Sequence, residues 1–257
     1  MKCLLVPLLA LVFCFATCTK EKNFSGELSP IEGTHSRPGL GDNPGLPTGT
    51  DWVLPAKISV VARPYHAFNS DLSKLYGSAN TFYTDISFVN DSTIPITVRI
   101  PSGLTFVQFV HHRMQYGISP VEVIVTVPPA EGGPGPGRDT TTIYLGLACL
   151  NEKWAFPWED YATEDVTGYP LNKGFYQPHK VTDDPNLLDL LLYLGGKPGL
   201  RLMNHYNPHE QYLPEYEPPQ WKRIYERIQE MIWKITEGEG ITSEEISSFH
   251  KELDQYN

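Results

Sequence analysis

Between residues 80 and 150 the apolar residues of this chain alternate with polar ones in stretch after stretch, and no helix-length pattern interrupts them. In "TFYTDISFV", Phe82, Ile86 and Phe88 share one face. In "IPITVRI", Ile94, Ile96, Val98 and Ile100 share one, with Thr97 and Arg99 opposite. "VEVIVTV" repeats the pattern with Val121, Val123, Val125 and Val127, and "TTTIYLGLACL" with Ile143, Leu145, Leu147 and Cys149. Side chains of a strand point to opposite faces in turn, so a period of two marks strands with one buried face. Asn90-Asp91-Ser92-Thr93 reads as a turn, and "EGGPGPG" (131–137) as a flexible loop. "ISVVARP", from Ile58, adds an earlier strand. Short strands in series, joined by turns, predict a mainly β fold with some α: an antiparallel β-sandwich over residues 53–150 rather than an α/β fold.

Past Cys149 the pattern changes. Residues 151–219 form an aromatic, irregular region with one helix over 185–194. Asp184 caps that helix, Pro185 takes its first position, and Gly195 or Gly196 ends it. Residues 220–257 predict two helices. Trp221, Ile224, Tyr225, Ile228, Met231, Ile232 and Ile235 recur every three or four residues, a stripe that needs a partner surface. Gly238 and Gly240 stop it. Thr242 and Glu245 then form a capping box ahead of a second stripe, Ile246, Phe249 and Leu253. The expected architecture is an immunoglobulin-like sandwich followed by a C-terminal helical subdomain.

The N-terminus, "MKCLLVPLLALVFCFATCTKEKN", sets Lys2 before an apolar run from Cys3 to Ala16. This is the pattern of a secretory signal, too short to span a bilayer. Phe15-Ala16-Thr17-Cys18 resembles a bacterial lipobox, which implies a signal over residues 1–17 and lipidation at Cys18. Two or three acyl chains give stable anchoring. Residues 18–52, rich in Pro and Gly, read as a tether between lipid and domain. The expected location is an exported lipoprotein at the outer membrane or surface of a Gram-negative bacterium. Of the four cysteines, Cys3 and Cys14 leave with the signal and Cys18 carries lipid, so Cys149 has no partner for a disulfide. A formal charge of −10 argues against nucleic acid as a partner.

Other residue constellations bear on chemistry. His205 and His209 have the spacing of a metal-binding helix, but Pro208 between them disfavours that helix, and neighbouring His111 and His112 point apart on a strand. Glu159, Asp160, Glu164 and Asp165 make an acidic loop without the ladder of a calcium site. As a glycosidase pair, these carboxylates would need a separation that sequence does not provide. Dinucleotide, P-loop and nucleophile-elbow motifs are absent, and no metal or cofactor is expected. Trp154, Trp158 and Tyr161, set among carboxylates, are candidates to stack on a glycan or to anchor a protein ligand. They serve equally as rings that fill the seam between sandwich and helices.

Several blocks are similar, in order, to exported bacterial lipoproteins with an extracellular β-sandwich domain: "TDISFVNDSTIPITVRIPSGLTF", "QYGISPVEVIVTVPP", "YLGLACLNEKWAFP", "VTDDPNLLDLL" and "RIQEMIWKITEGEGITSEE". That resemblance implies fold and location, and no activity. Ile228-Gln229-Glu230-Met231-Ile232-Trp233 further resembles the glutamine motif of bacterial thioester adhesin domains. Met231 stands where that motif has a small residue, and Cys149 lies between Ala148 and Leu150 rather than beside an aromatic ring. The resemblance implies Cys149 as nucleophile and Gln229 as acceptor of an internal thioester. The competing reading makes Cys149 a small core residue and Gln229 a flank of its helix. The expected function is thus a non-enzymatic, lipid-anchored surface binding or adhesion module. The alternatives are a covalent adhesin using Cys149 and Gln229, and a carbohydrate-active or metal-dependent enzyme.

Overall fold

The structure, a computed structural model, describes residues 28–61, 75–76, 82–109, 113–131, 139–155, 176–197, 200, 214–217 and 220–254. Within these the chain is mainly β, with three helices. The strands are β1 (Gly49–Asp51), β2 (Ile58–Val61), β3 (Leu75–Tyr76), β4 (Phe82–Asn90), β5 (Ile96–Ile100), β6 (Leu104–Gln108), β7 (Gly117–Ile118), β8 (Val123–Val127), β9 (Thr141–Cys149) and β10 (Tyr176–Thr182). The helices are α1 (Pro185–Gly195), α2 (Gln220–Thr236) and α3 (Ser243–Asp254). The larger sheet runs β1-β10-β6-β7-β9-β4-β2, with the short β3 added to β9. It is antiparallel apart from β3 and curls into a half-barrel. β5 and β8 form a separate two-stranded sheet.

Alternation does what the sequence demands of it. In β8, Val123, Val125 and Val127 are buried while Ile124 and Thr126 face out. Val98 and Ile100 of β5 lie opposite them and are fully buried. With Ile86, Phe88, Ile143, Leu145 and Leu147 of the large sheet, they make one core. Ile94 departs from its expected face: it precedes β5 and is 64% exposed. Asn90 closes the β4–β5 corner. Its side-chain amide donates to the carbonyls of Ile94 and Val127, and its side-chain oxygen accepts from Ser92 N–H.

β9 is covered on both faces. Leu145, Leu147 and Cys149 point into the sheet core, whereas Ala148 and Leu150 belong to a second apolar cluster built with the helices. Ile224, Ile228, Met231, Ile232 and Ile235 of α2 fill that cluster, with Leu187, Leu190, Leu191 and Leu194 of α1 and Ile246, Phe249 and Leu253 of α3. Helix ends follow their residues. Asp184 accepts from Leu187 N–H at 2.8 Å, with Pro185 next to it. Thr242 N–H donates to Glu245 at 2.9 Å, and Glu245 N–H donates back to the Thr242 hydroxyl. Gly238 and Gly240 take φ of 91° and 76°, the left-handed backbone that releases α2 into the corner.

Two expectations needed correction. The tether expected over 18–52 is folded from Leu28 onward. Leu28, Ile31 and Leu40 are buried in the helical cluster, Ile31 bridges Ile241, and Gly49–Asp51 adds β1 to β10. A Pro/Gly-rich segment buries too little to order itself, but surface supplied by other elements removes that limit. The irregular region expected after Cys149 also contains β10. Pro178 hides this strand, because it lacks an N–H and coincides with a register shift between Pro178 and Val181.

Candidate functional site

Cys149 and Gln229, eighty residues apart, meet where β9 ends against α2. The Cys149 N–H donates to Oε1 of Gln229 at 2.6 Å. The Nε2 of Gln229 donates back to the Cys149 carbonyl at 2.9 Å. Both residues are buried, Cys149 fully and Gln229 to 3% exposure. The pairing also decides the orientation of the amide, since a flip would set donor against donor and acceptor against acceptor.

The register explains why a glutamine fits here. Leu150 N–H donates to the Tyr116 carbonyl, and Ala148 pairs with Ile118, so the peptide groups of residues 148 and 150 face β7. Peptide groups alternate in direction along a strand, which turns those of Cys149 to the other side. On that side the described pairing with β4 ends at Phe82 opposite Leu147. The Gln229 amide carries one donor and one acceptor at peptide-like spacing. It occupies the place that the next residue of a strand would take, and leaves the Cys149 peptide groups satisfied in a buried setting.

The surroundings hold this junction firmly. Asn151 is a hub: its Oδ1 accepts from Tyr116 N–H at 2.8 Å, and its Nδ2 donates to the carbonyls of Gly39 and Gly41 at 3.0 and 2.8 Å. Sequence reading missed Asn151. The only signal was a buried-capable amide two residues after the cysteine, at a strand end. Trp233, one turn after Gln229 on α2, packs against the sheet core. Its indole N–H is buried and has no hydrogen-bond partner among the described residues. Beside it lies a cleft of about 180 Å3 lined by Glu152, Glu230, Trp233, Lys234 and Glu239. Glu230 directly follows Gln229 on α2, but neither Cys149 nor Gln229 lines this cleft.

Chemically, the arrangement has three parts: a cysteine, a carboxamide, and an N–H aimed at the carboxamide oxygen. If the sulfur attacked the amide carbon, negative charge would develop on Oε1, where the Cys149 N–H already points. A preorganised donor there is the arrangement that stabilises an oxyanion.

The remaining candidates are placed as follows. Trp154 is 9% exposed and meets Tyr116 edge to face at 5.3 Å. Burial raises the Tyr116 hydroxyl above its ordinary pKa. Trp158, Tyr161, the acidic loop, His111, His112, His205, His209 and Cys18 lie outside the described residues. Among the described residues, no three His, Cys, Asp or Glu side chains converge as a metal site, and no helix is long and apolar enough to cross a membrane. No family model matches the chain, and neither a curated protein nor a solved structure matches it.

Proposed function

We propose that this chain is an exported, lipid-anchored adhesion module in which Cys149 and Gln229 close into an internal thioester. One observation carries this reading: the Gln229 amide lies against the main chain of Cys149, with its oxygen on the Cys149 N–H at 2.6 Å. In the proposed step the Cys149 sulfur bonds to Cδ of Gln229 and the Cδ–Nε2 bond breaks. The thiol proton leaves with the nitrogen as ammonia, and no electrons are exchanged with a third party. Oxidation state is unchanged throughout. An amine presented by a surface would later take the acyl group and return the thiol. The module turns over no substrate, so it is not an enzyme in this reading.

The finer architecture belongs to the same proposal: an immunoglobulin-like sandwich carrying a helical subdomain. The apolar core shared by the β5–β8 pair and the large sheet supports the first part. The separate cluster around α1, α2 and α3 supports the second. The lipid anchor at Cys18 rests on the N-terminal sequence.

Mass spectrometry of the intact protein tests the thioester. Loss of ammonia lowers the mass by about 17 Da, and methylamine then adds about 31 Da per chain. Cys149→Ala should show neither change. An unmodified mass with no methylamine uptake leaves Gln229 as a structural clamp on β9 and ends the covalent reading.

A further inference from the structure

The half-barrel has an open seam. β10 and β2 lie far apart in the pairing order of the large sheet, yet both line one cleft of about 370 Å3. The curl of the sheet has brought these strands together, and among the described residues they are not paired. β4 contributes Asp85 and Ser87 to the cleft, β10 contributes Tyr176 to His179, and the segment after β1 contributes Trp52. This volume is that of a small-molecule site, and barrel mouths are among the places where such sites form.

The lining is amphipathic in a particular way. Trp52 is held in place by its indole N–H on the Arg99 carbonyl at 3.0 Å and by an edge-on contact with Phe88 at 6.3 Å. Tyr176 is likewise pinned, its hydroxyl donating to the Gln115 carbonyl at 2.5 Å. These rings bring fixed aromatic surface to the cleft. Around them stand polar groups of mixed kind: the buried carboxylate of Asp85, the exposed amide of Gln177, and His179. Asp51, at the rim, is already neutralised by Lys180 at 2.5 Å. Desolvation by burial, then the nearby Lys180 charge, lower the pKa of His179, so its ring is neutral at pH 7. A carboxylate keeps lone pairs for several donors, and an amide both gives and accepts. Fixed rings beside such groups suit a ligand with an apolar C–H face and several hydroxyls, rather than an anion.

We propose that the seam cleft binds one neutral sugar unit of a surface glycan, with Trp52 as the wall for the sugar ring and Asp85 and Gln177 as hydroxyl partners. This site lies on the sheet and is independent of the Cys149–Gln229 pair. It would position the module on a glycan whether or not a thioester forms.

Saturation-transfer NMR on the full chain tests this, with the methyl glycosides of glucose, galactose, mannose, N-acetylglucosamine and fucose as probes. At least one glycoside should receive saturation. Gln177→Ala, an exposed position, and Asp85→Asn should each weaken its binding about tenfold or more. Thermal melting confirms that each variant is folded, and Gln177→Ala serves alone if Asp85→Asn is not. No transfer to any of the five overturns the proposal. So does transfer that Gln177→Ala leaves unchanged, or that tetramethylammonium displaces as readily as sugar, since the cleft would then be a cation site.

Discussion

Replacing Gln229 by Ala removes two buried hydrogen bonds, and so takes a partner from each of two buried groups, the N–H and the carbonyl of Cys149. Each such group costs about 1–3 kcal/mol, so Gln229→Ala should destabilise the uncyclised fold by about 2–5 kcal/mol. Cys149→Ala should cost only about 1 kcal/mol, because the hydrogen bonds to Gln229 come from the main chain and survive. Denaturant unfolding of the two variants checks the difference, and equal losses would show that the sulfur rather than the peptide carries the junction. At this scale the sequence was partly legible. Cys149 was found by counting cysteines, and Gln229 by the resemblance of its surrounding motif. The bidentate contact was not legible, because nothing local in either segment states where β4 stops beside β9. Asn151 was missed for the same reason: its partners Gly39, Gly41 and Tyr116 are distant in sequence.

The α2–α3 corner shows what elements say by themselves. Thr242 and Glu245 were readable as a capping box because both partners lie within four residues. Structure adds an ion pair from Lys234 across the corner to Glu245. The hydrogen bond from Lys234, then the backbone bond from Thr242, hold the Glu245 carboxyl at about 2 instead of its ordinary 4.5. A folded-state pKa below the unfolded value means the stabilisation is present above pH 4.5 and is lost as pH falls from 4.5 toward 2. Both side chains are partly solvated, so the loss is bounded at about 1 kcal/mol. Melting temperature recorded over that range should fall less steeply for Glu245→Gln than for the native chain. Parallel curves would assign the acid sensitivity elsewhere. Helices α2 and α3 and strands β8 and β9 were legible because period and caps are local. β6 was not, since all five residues of "LTFVQ" are buried and alternation disappears. β10 was not, because Pro178 argues against a strand and only pairing to β6 and β1 makes it one.

For the whole molecule, the expected anchor and the observed packing of residues 28–51 bear on each other. Thr34 donates to the buried carboxylate of Asp184, and Arg37 pairs with Asp183 at 2.5 Å and with Asp184 at 3.3 Å. A domain anchored through Cys18 would therefore have nine residues, 19–27, between the lipid and Leu28. If Cys18 carries the lipid, Cys18→Ser should move the protein from the membrane fraction to the soluble one and abolish labelling by radioactive palmitate. Retention of both would refute the anchor. Strand β9 pairs with β3, β4 and β7 and packs against α2, and its alternate side chains feed two different cores. The sequence alone determined the β-rich character and the helices with their caps, since each follows from local periodicity or local hydrogen bonding. Only the tertiary structure decided that Gln229 completes the edge of β9, that the Pro/Gly-rich segment folds, and that the sheet curls to leave a seam. Those outcomes depend on groups far apart in the chain finding buried partners, and no local pattern encodes that distance.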